Sequence, residues 1–591
     1  MLEKLKGGAI RFVAAVSRYP LTIAFLFLAF INYTIIIQSK VLGPTILFMT
    51  LLIGAAISAV GQQVYERFYN GKRRAQLIIY LASIGLTAVY FLLMRLANSV
   101  NWGLEIKTSV LVFALWLAFI WIPTVRNNKI RFHDSFLVAF KSFFTAVLFT
   151  LVIIIGLSAI LLAIDQLLFS LHYTVYEHIF STLLILFSPL FFLSLIPKYP
   201  KGEQLADKEK DEQLLKALEM PKLLMILLSY VIIPLIMVYT VILIIYISMN
   251  IGGAFWQNDL LESMLISYSI LTVFIMVLIG RIDNQLANFY RQVMPKVLIP
   301  IVLLQIIASV LKISEVGLTH GRYYVILYGV FAILASVLLS IWPVKKNGWI
   351  AILLISFSVI SILPPVDAFT VSKANHVHLL KMTLDDNEML QGGEIVPNPS
   401  VNQEDKIVIT RTYRYLERMG YVREIDWLPK QLESYDSFQK VFGFNEMYGP
   451  EDDGVYDVGK FFSLNNEPHI VLDTADSDRL MTLFISYHQQ QETDVPIPFD
   501  VADESYQLYV ENDESGVRLS IRDDQENILI ESELAELVDR LKLYDQQELT
   551  LNDATFVQEN EHVTMKIVVR SFSIYDASYD GDLYVLVKIK Q

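Results

Sequence analysis

The sequence predicts an α-helical polytopic membrane protein of about eleven transmembrane helices, carrying a C-terminal extracytoplasmic α+β domain rich in strands. Three observations carry this. Eleven apolar stretches fill the first 365 residues. The loops between them alternate between Lys/Arg-rich and Lys/Arg-poor. After residue 365 no long apolar stretch recurs, and the chain turns acidic: 28 Lys+Arg face 16 Asp+Glu before that point, and 19 face 44 after it. Net charges of +12 and −25 thus hide behind the overall −13.

About 20 apolar residues are needed to cross the hydrocarbon core as a helix. The stretches are 21–37, 41–60, 76–94, 109–122, 136–163, 181–196, 221–246, 260–278, 297–311, 323–341 and 348–362, a few needing flanking residues to span. The basic N-terminus before the first lacks a small-residue cleavage site and reads as a retained signal anchor. Lys and Arg accumulate in cytoplasmic loops. With the N-terminus inside, the inner segments hold 22 Lys/Arg and the outer loops 5: Lys40, Arg95, Lys107, Lys312 and Arg322. An odd number of crossings then places the acidic tail outside the cell, and the expected location is a plasma membrane. Tyr and Trp near several segment ends fit the membrane interface.

The longest interior break, 197–221, is a charged cytoplasmic linker. It separates an N-terminal membrane subdomain of about six helices (1–196) from a second of about five (222–365). Residues 366–454 follow as an extracytoplasmic helical region, with helices expected over 373–392 and over 404–420, the latter ended by Gly420. In 455–591 the apolar period shifts to two, which predicts strands in HIVLD, MTLFISY, YQLYVE, VRLSIR, ELTLN, TFVQE, VTMKIVVRSFSIYD and DLYVLVKIK, with one helix over 531–544.

With no cysteine in the chain, disulfides and thiol chemistry are excluded. The nine histidines form no paired zinc motif, and neither a Gly-rich phosphate loop nor a GxSxG occurs, so no hydrolase chemistry and no cofactor are expected. DTADSD (473–478) and DASYDGD (576–582) miss the spacing of a calcium loop, and DGD (580–582) and NDESG (512–516) read as hairpin turns; no metal is expected. The acidic tail argues against nucleic acid as a partner. The expected partners are the lipid bilayer and an extracytoplasmic protein or envelope ligand.

Ionisable groups at membrane depth are costly and often functional. Lys141 lies two turns into the fifth stretch, from where it can snorkel to the inner interface. Asp165, Glu177 and His178 could line an outer vestibule or form an ordinary polar loop. Arg322 starts a helix on the outer side, near Glu315 and His320 and beside Tyr323 and Tyr324. Its guanidinium could hold a phosphate or carboxylate, or pair with Glu315 or Asp259 to fix one helix against another. Arg281 and Asp283 cannot face each other on a helix, so each needs another partner. Pro234 and Pro300 interrupt helices, either as kinks or as sources of free carbonyls.

The stretch 312–390 carries Gly317, Leu318, Thr319, Arg322, Tyr323 and Tyr324, then Gly329, then a Pro-x-x-Ala-Phe-x-Val-Ser segment. With these motifs the chain resembles a bacterial family of polytopic membrane proteins known as domain of unknown function 4153. The resemblance is closest over 220–390 and implies class and topology, with no activity attached. The leading functional expectation is an envelope sensor or interaction protein. The alternatives are a transporter or channel for a small solute or ion, and a membrane-embedded lipid- or polymer-modifying enzyme around Arg322 and Glu315.

Overall fold

The computed structural model describes residues 12–39, 45–96, 102–127, 129–199, 214–253, 259–313, 317–430, 435–448, 460–464, 472–487, 495–502, 504–513, 516–542, 548–574 and 578–590. The chain divides into two compact units, Met1–Met447 and Tyr448–Gln591.

In the first unit, ten described helices are long and apolar enough to cross a membrane: α1 (Pro20–Ser39), α2 (Ile46–Tyr69), α3 (Arg73–Leu96), α4 (Trp102–Trp121), α5 (Phe132–Leu167), α6 (Tyr173–Leu195), α7 (Leu214–Asn250), α8 (Asp259–Leu278), α9 (Gln285–Leu311) and α10 (His320–Ile341). The expected eleventh, α11 (Gly348–Ile360), has only 13 residues. At 1.5 Å per residue it reaches about 20 Å, short of the ~30 Å hydrocarbon core.

The chain nevertheless runs the length of the bundle there. At the start of α11, a Cβ on Gly348 would lie 3.6 Å from Nε1 of Trp121, at the end of α4. Past α11, a Cβ on Gly103 at the other end of α4 would lie 3.0 Å from the Phe369 ring. The segment 361–367 supplies the reach that α11 lacks.

Wide π-type turns interrupt two helices, at Thr182–Phe187 in α6 and Leu227–Ile232 in α7. A proline follows each, Pro189 and Pro234. Proline has no N–H for the preceding turn, and a widened turn accommodates that loss.

One end of the bundle is tied together by cations. Arg18 grips Glu66 with two nitrogens, at 2.8 and 2.7 Å, and also donates to the carbonyls of Ile196 and Pro197. Arg67 donates to the carbonyls of Val125 and Arg126. Arg281 binds the buried carboxylate of Asp134, while Asp283 accepts from Asn288, so the two neighbours do take separate partners. Lys141 donates to the carbonyls of Ala217 and Glu219, both at 2.6 Å. Arg18 and Arg67 link the start of α1 to the ends of α2, α4 and α6. Arg281 and Lys141 link the start of α5 to the end of α8 and the start of α7. Ser135 joins the two sets by donating to the Ile120 carbonyl at 2.7 Å, hence one end of an alternating bundle.

At the opposite end sits a helical cap of α12 (Ala368–Asp386), α13 (Gln403–Arg418) and α14 (Tyr435–Phe442). A two-stranded hairpin, β1 (Leu390–Gln391) with β2 (Glu394–Ile395), joins the first two. The cap has its own apolar core, including Leu380, Ile409, Tyr413, Leu416, Phe438 and Phe442.

Among its described strands, the second unit is antiparallel except for one pairing. Its larger sheet runs β4 (Arg479–Tyr487), β12 (Tyr579–Ile589), β11 (Val563–Ile574), β3 (Lys460–Leu464) and β9 (Glu548–Leu549), with β10 (Thr555–Glu559) also on β11. β3 and β9 form the parallel pair. A smaller sheet runs β5 (Val495–Val501), β6 (Glu504–Asp513), β7 (Gly516–Asp523) and β8 (Ile528–Glu533). Helix α15 (Leu534–Lys542) adds Leu534, Leu537 and Leu541 to a core that also holds Leu508, Leu519, Met565 and Val585. In the DTADSD segment, Asp478 accepts the Ile589 N–H and holds the start of β4 against the end of β12, while the DGD read as a turn lies within β12, with Gly581 opposite Phe572.

Candidate functional site

The two blocks around residues 317–324 and 364–372 meet at the cap end. Thr319 caps α10 by accepting the Arg322 N–H at 3.2 Å. The Leu318 N–H donates to Asn375 at 2.6 Å, and the Tyr323 hydroxyl to the Val366 carbonyl. Gly317 has φ +80°, and a Cβ there would sit 2.9 Å from His376 Nε2. Only glycine combines that conformation with so close a neighbour.

Tyr415, on α13, is the hub. Its hydroxyl accepts the His320 N–H at 3.2 Å, at the first turn of α10. It also bonds His320 Nδ1 and Ser372 Oγ. Its ring stacks on His376 at 3.9 Å, and His320 stacks on Phe369 at 5.3 Å. One side chain of the cap thus closes an α-helix of the bundle.

Burial of His376 pushes its pKa down to about 4, with the charges of Arg322 and His320 acting in the same direction. Asp367 caps α12 by accepting from the Phe369 and Thr370 N–H groups. Burial raises its pKa, but the Lys107 ammonium at 2.7 Å and the Thr370 hydroxyl outweigh that and hold it below the ordinary carboxylate value.

Beside this hub lies a pocket of about 450 Å³. The first turn of α4 (Gly103, Leu104, Lys107), the first turns of α12 (Phe369, Thr370, Lys373) and the end of α13 (Arg418 to Tyr421) line it, with Glu424. Lys107 lies over the Phe369 ring at 5.4 Å and Lys373 over Tyr421 at 5.6 Å. Such a concave, partly aromatic wall with a few convergent charges is suited to holding a small molecule.

The residues singled out from sequence do not all converge. Arg322 points its Nε toward Glu262 at 4.0 Å and donates to the Gly317 carbonyl at 3.4 Å. Glu262 also accepts from Ser309. Tyr323 lies at the junction through its bond to Val366. Glu315 lies outside the described residues. Asp165 accepts the Leu171 N–H and closes the loop after α5, while Glu177 is exposed on α6; no described bond joins the two. Lys107, Asp367, His376, Tyr415 and Arg418 were missed. The signal available for the first was its place among only five outer-loop cations; for Asp367 it was its position directly before a helical run.

Against known families, the description "Domain of unknown function (DUF4153)" matches over residues 22–391. No curated protein and no solved structure matches.

Proposed function

The chain belongs to the DUF4153 family, and we propose that it is a multi-pass membrane protein that binds a small ligand at the cap end of its helix bundle, as a sensor or interaction module. The observation that carries this is the pocket of about 450 Å³ where α4, α12 and α13 meet. Its walls come from both bundle and cap, so occupancy would tighten one against the other.

The cap end is read as exterior. The 22-to-5 bias of Lys and Arg supports it. So does the clustering of Arg18, Arg67, Lys141 and Arg281 at the opposite end. The proposed setting is a bacterial plasma membrane, with an envelope ligand or an exterior protein as partner. Arg322, turned toward Glu262 and the Gly317 carbonyl, serves helix pairing better than it serves catalysis.

Two measurements test this. In the cysteine-free chain, Ser400→Cys should react with an impermeant maleimide in intact cells, and Asn70→Cys only after lysis; the reverse pattern sinks the orientation. A thermal-shift screen of anionic, neutral and cationic small molecules on the full chain in detergent should yield stabilising compounds, because a ligand that binds only the folded state raises its melting temperature. Their effect should vanish in Phe369→Ala. If no compound of any class shifts the wild type, the binding reading fails.

A further inference from the structure

We propose that this pocket takes a phosphate-class anion: a phosphomonoester, or the phosphate of a lipid headgroup. The inference rests on reading the pocket as a ligand site, and it adds the ligand's chemistry.

Three cations on three elements line the pocket: Lys107 on α4, Lys373 on α12 and Arg418 at the end of α13. Lys107 pairs with Asp367 and Lys373 with Glu424. Asp367 has no exposed surface and is fastened to the α12 N-terminus, so it fixes Lys107 from behind. Glu424 pairs with Lys373 from the solvent side, with 63% of its side chain exposed. An ammonium has three N–H donors and a guanidinium five, so one carboxylate contact leaves Lys107 and Lys373 with donors to spare.

Backbone adds to the positive potential. Both α4 and α12 begin at the pocket, through Gly103 and Leu104 and through Phe369 and Thr370. The positive end of the α4 dipole meets the pocket there, whereas the Phe369 and Thr370 N–H groups of α12 are already taken by Asp367. The C-terminus of α13 is also present, with two of its last carbonyls taken: Met419 N–H donates to Tyr415 O at 3.1 Å and Gly420 N–H to Glu417 O at 2.8 Å.

Cations spread over separate walls suit a tetrahedral group better than a planar one. Phosphate monoesters carry close to two negative charges and three acceptor oxygens pointing apart. A carboxylate would satisfy one guanidinium and leave the far wall without a partner. The volume exceeds what a bare phosphate fills, and the faces of Phe369 and Tyr421 leave room for an organic remainder.

The absence of cysteine makes a direct test possible. Met419 lines the pocket and its side chain makes no described hydrogen bond, so Met419→Cys serves as a reporter in the full chain. Labelling by a thiol reagent is followed in phosphatidylcholine nanodiscs, with and without inorganic phosphate, and in nanodiscs containing phosphatidylglycerol. Sodium chloride at equal ionic strength is the control. Protection by inorganic phosphate, and not by chloride, supports the proposal with a soluble source. Protection only in phosphatidylglycerol nanodiscs supports it with a lipid source.

In either case Lys373→Gln or Arg418→Gln should weaken the protecting affinity about tenfold, the loss expected for one charge-assisted hydrogen bond. Arg418 is exposed and Lys373 half-buried, so these variants should fold. Lys107→Gln strands the buried Asp367 and is the harsher change. Labelling that is equal under every condition overturns the anion assignment while the pocket stands. A reporter that reacts only after denaturation overturns the pocket and the assignment together.

Discussion

His376 is 1% exposed, stacked on Tyr415, bonded through Nδ1 to the Ser372 carbonyl and close under Gly317. Burial holds its folded-state pKa near 4, against an ordinary 6.5. A depressed histidine value means that the unfolded chain takes up the proton more readily. The stability tied to the neutral ring is therefore complete above about pH 6.5, falls away between 6.5 and 4, and levels off below. Its size is about 3 kcal/mol, from the pKa difference alone. Unfolding of the full chain in detergent, followed between pH 7.5 and 4.5, should show this decline, and His376→Gln should flatten it. Parallel decline in both proteins would exclude His376 as its source. At the neighbouring position, Gly317→Ala should cost about 1–3 kcal/mol, since φ +80° and the 2.9 Å approach to His376 Nε2 both penalise a Cβ. An unchanged melting temperature would show that the loop can relax. Neither residue's role was legible as such: Gly317 stood out only within a motif, and His376 was one of nine scattered histidines. Their pairing spans 59 positions and exists only once α12 packs on α10.

Elements were legible where apolar periodicity was long. All ten long helices fall on stretches read from hydropathy. The exception, α11, is short because its apolar run ends in a turn at Ser361, which hydropathy averages over. Among strands, β5 was missed because Pro496 and Pro498 argue against a ladder. Among the described strands it sits at a sheet edge beside β6, where missing N–H groups cost little. β8 was not read as a strand, and its last three residues, 531–533, fell in the helix expected over 531–544, whereas that helix starts at Leu534. The cation-bound end shows a different limit: charge counting placed Arg18 among the inner-segment cations but gave no sign of its partner Glu66. Their side chains are 6% and 13% exposed. Removing one partner of such a pair costs about 3–5 kcal/mol, far more than replacing both by apolar groups. Arg18→Ala should therefore destabilise strongly. Arg18→Met with Glu66→Met should recover part of the loss, and only part, because the carbonyls of Ile196 and Pro197 lose their donor in both. Thermal unfolding of both variants decides it; a double variant no better than the single one would show that the guanidinium matters through those carbonyls alone.

At the scale of the whole chain, the charge partition moves. In sequence it lies near residue 365, but the compact units part at Met447 and Tyr448. Residues 366–447, which hold the cap, carry 9 Lys+Arg and 13 Asp+Glu, whereas 448–591 carry 10 and 31. The acidic character thus belongs to the β-rich unit, with a net charge of −21, and the cap is close to neutral. Hydropathy could not separate cap from tail, since neither has a membrane-length run; the difference lies in Tyr415 and Asp367, which tie the cap to α10 and α4. A physical consequence follows for the unit alone. It has its own two-sheet core, with Leu508, Leu519, Met565 and Val585 fully buried, so a fragment of residues 448–591 should fold without the bundle. Like charges repel in the compact state, and dissolved salt screens that repulsion over roughly 10 Å at 0.1 M. Hydrophobic burial is much less sensitive to such modest salt. The melting temperature of the fragment should therefore rise as sodium chloride goes from low to near-physiological concentration. Near pH 4, where carboxylates begin to protonate, the same addition should have a smaller effect, because less charge remains to screen. A fragment that unfolds without cooperativity would show that the unit depends on the rest of the chain. One that melts cooperatively but is indifferent to salt at neutral pH would show that its carboxylates are already neutralised by bound cations or local pairing.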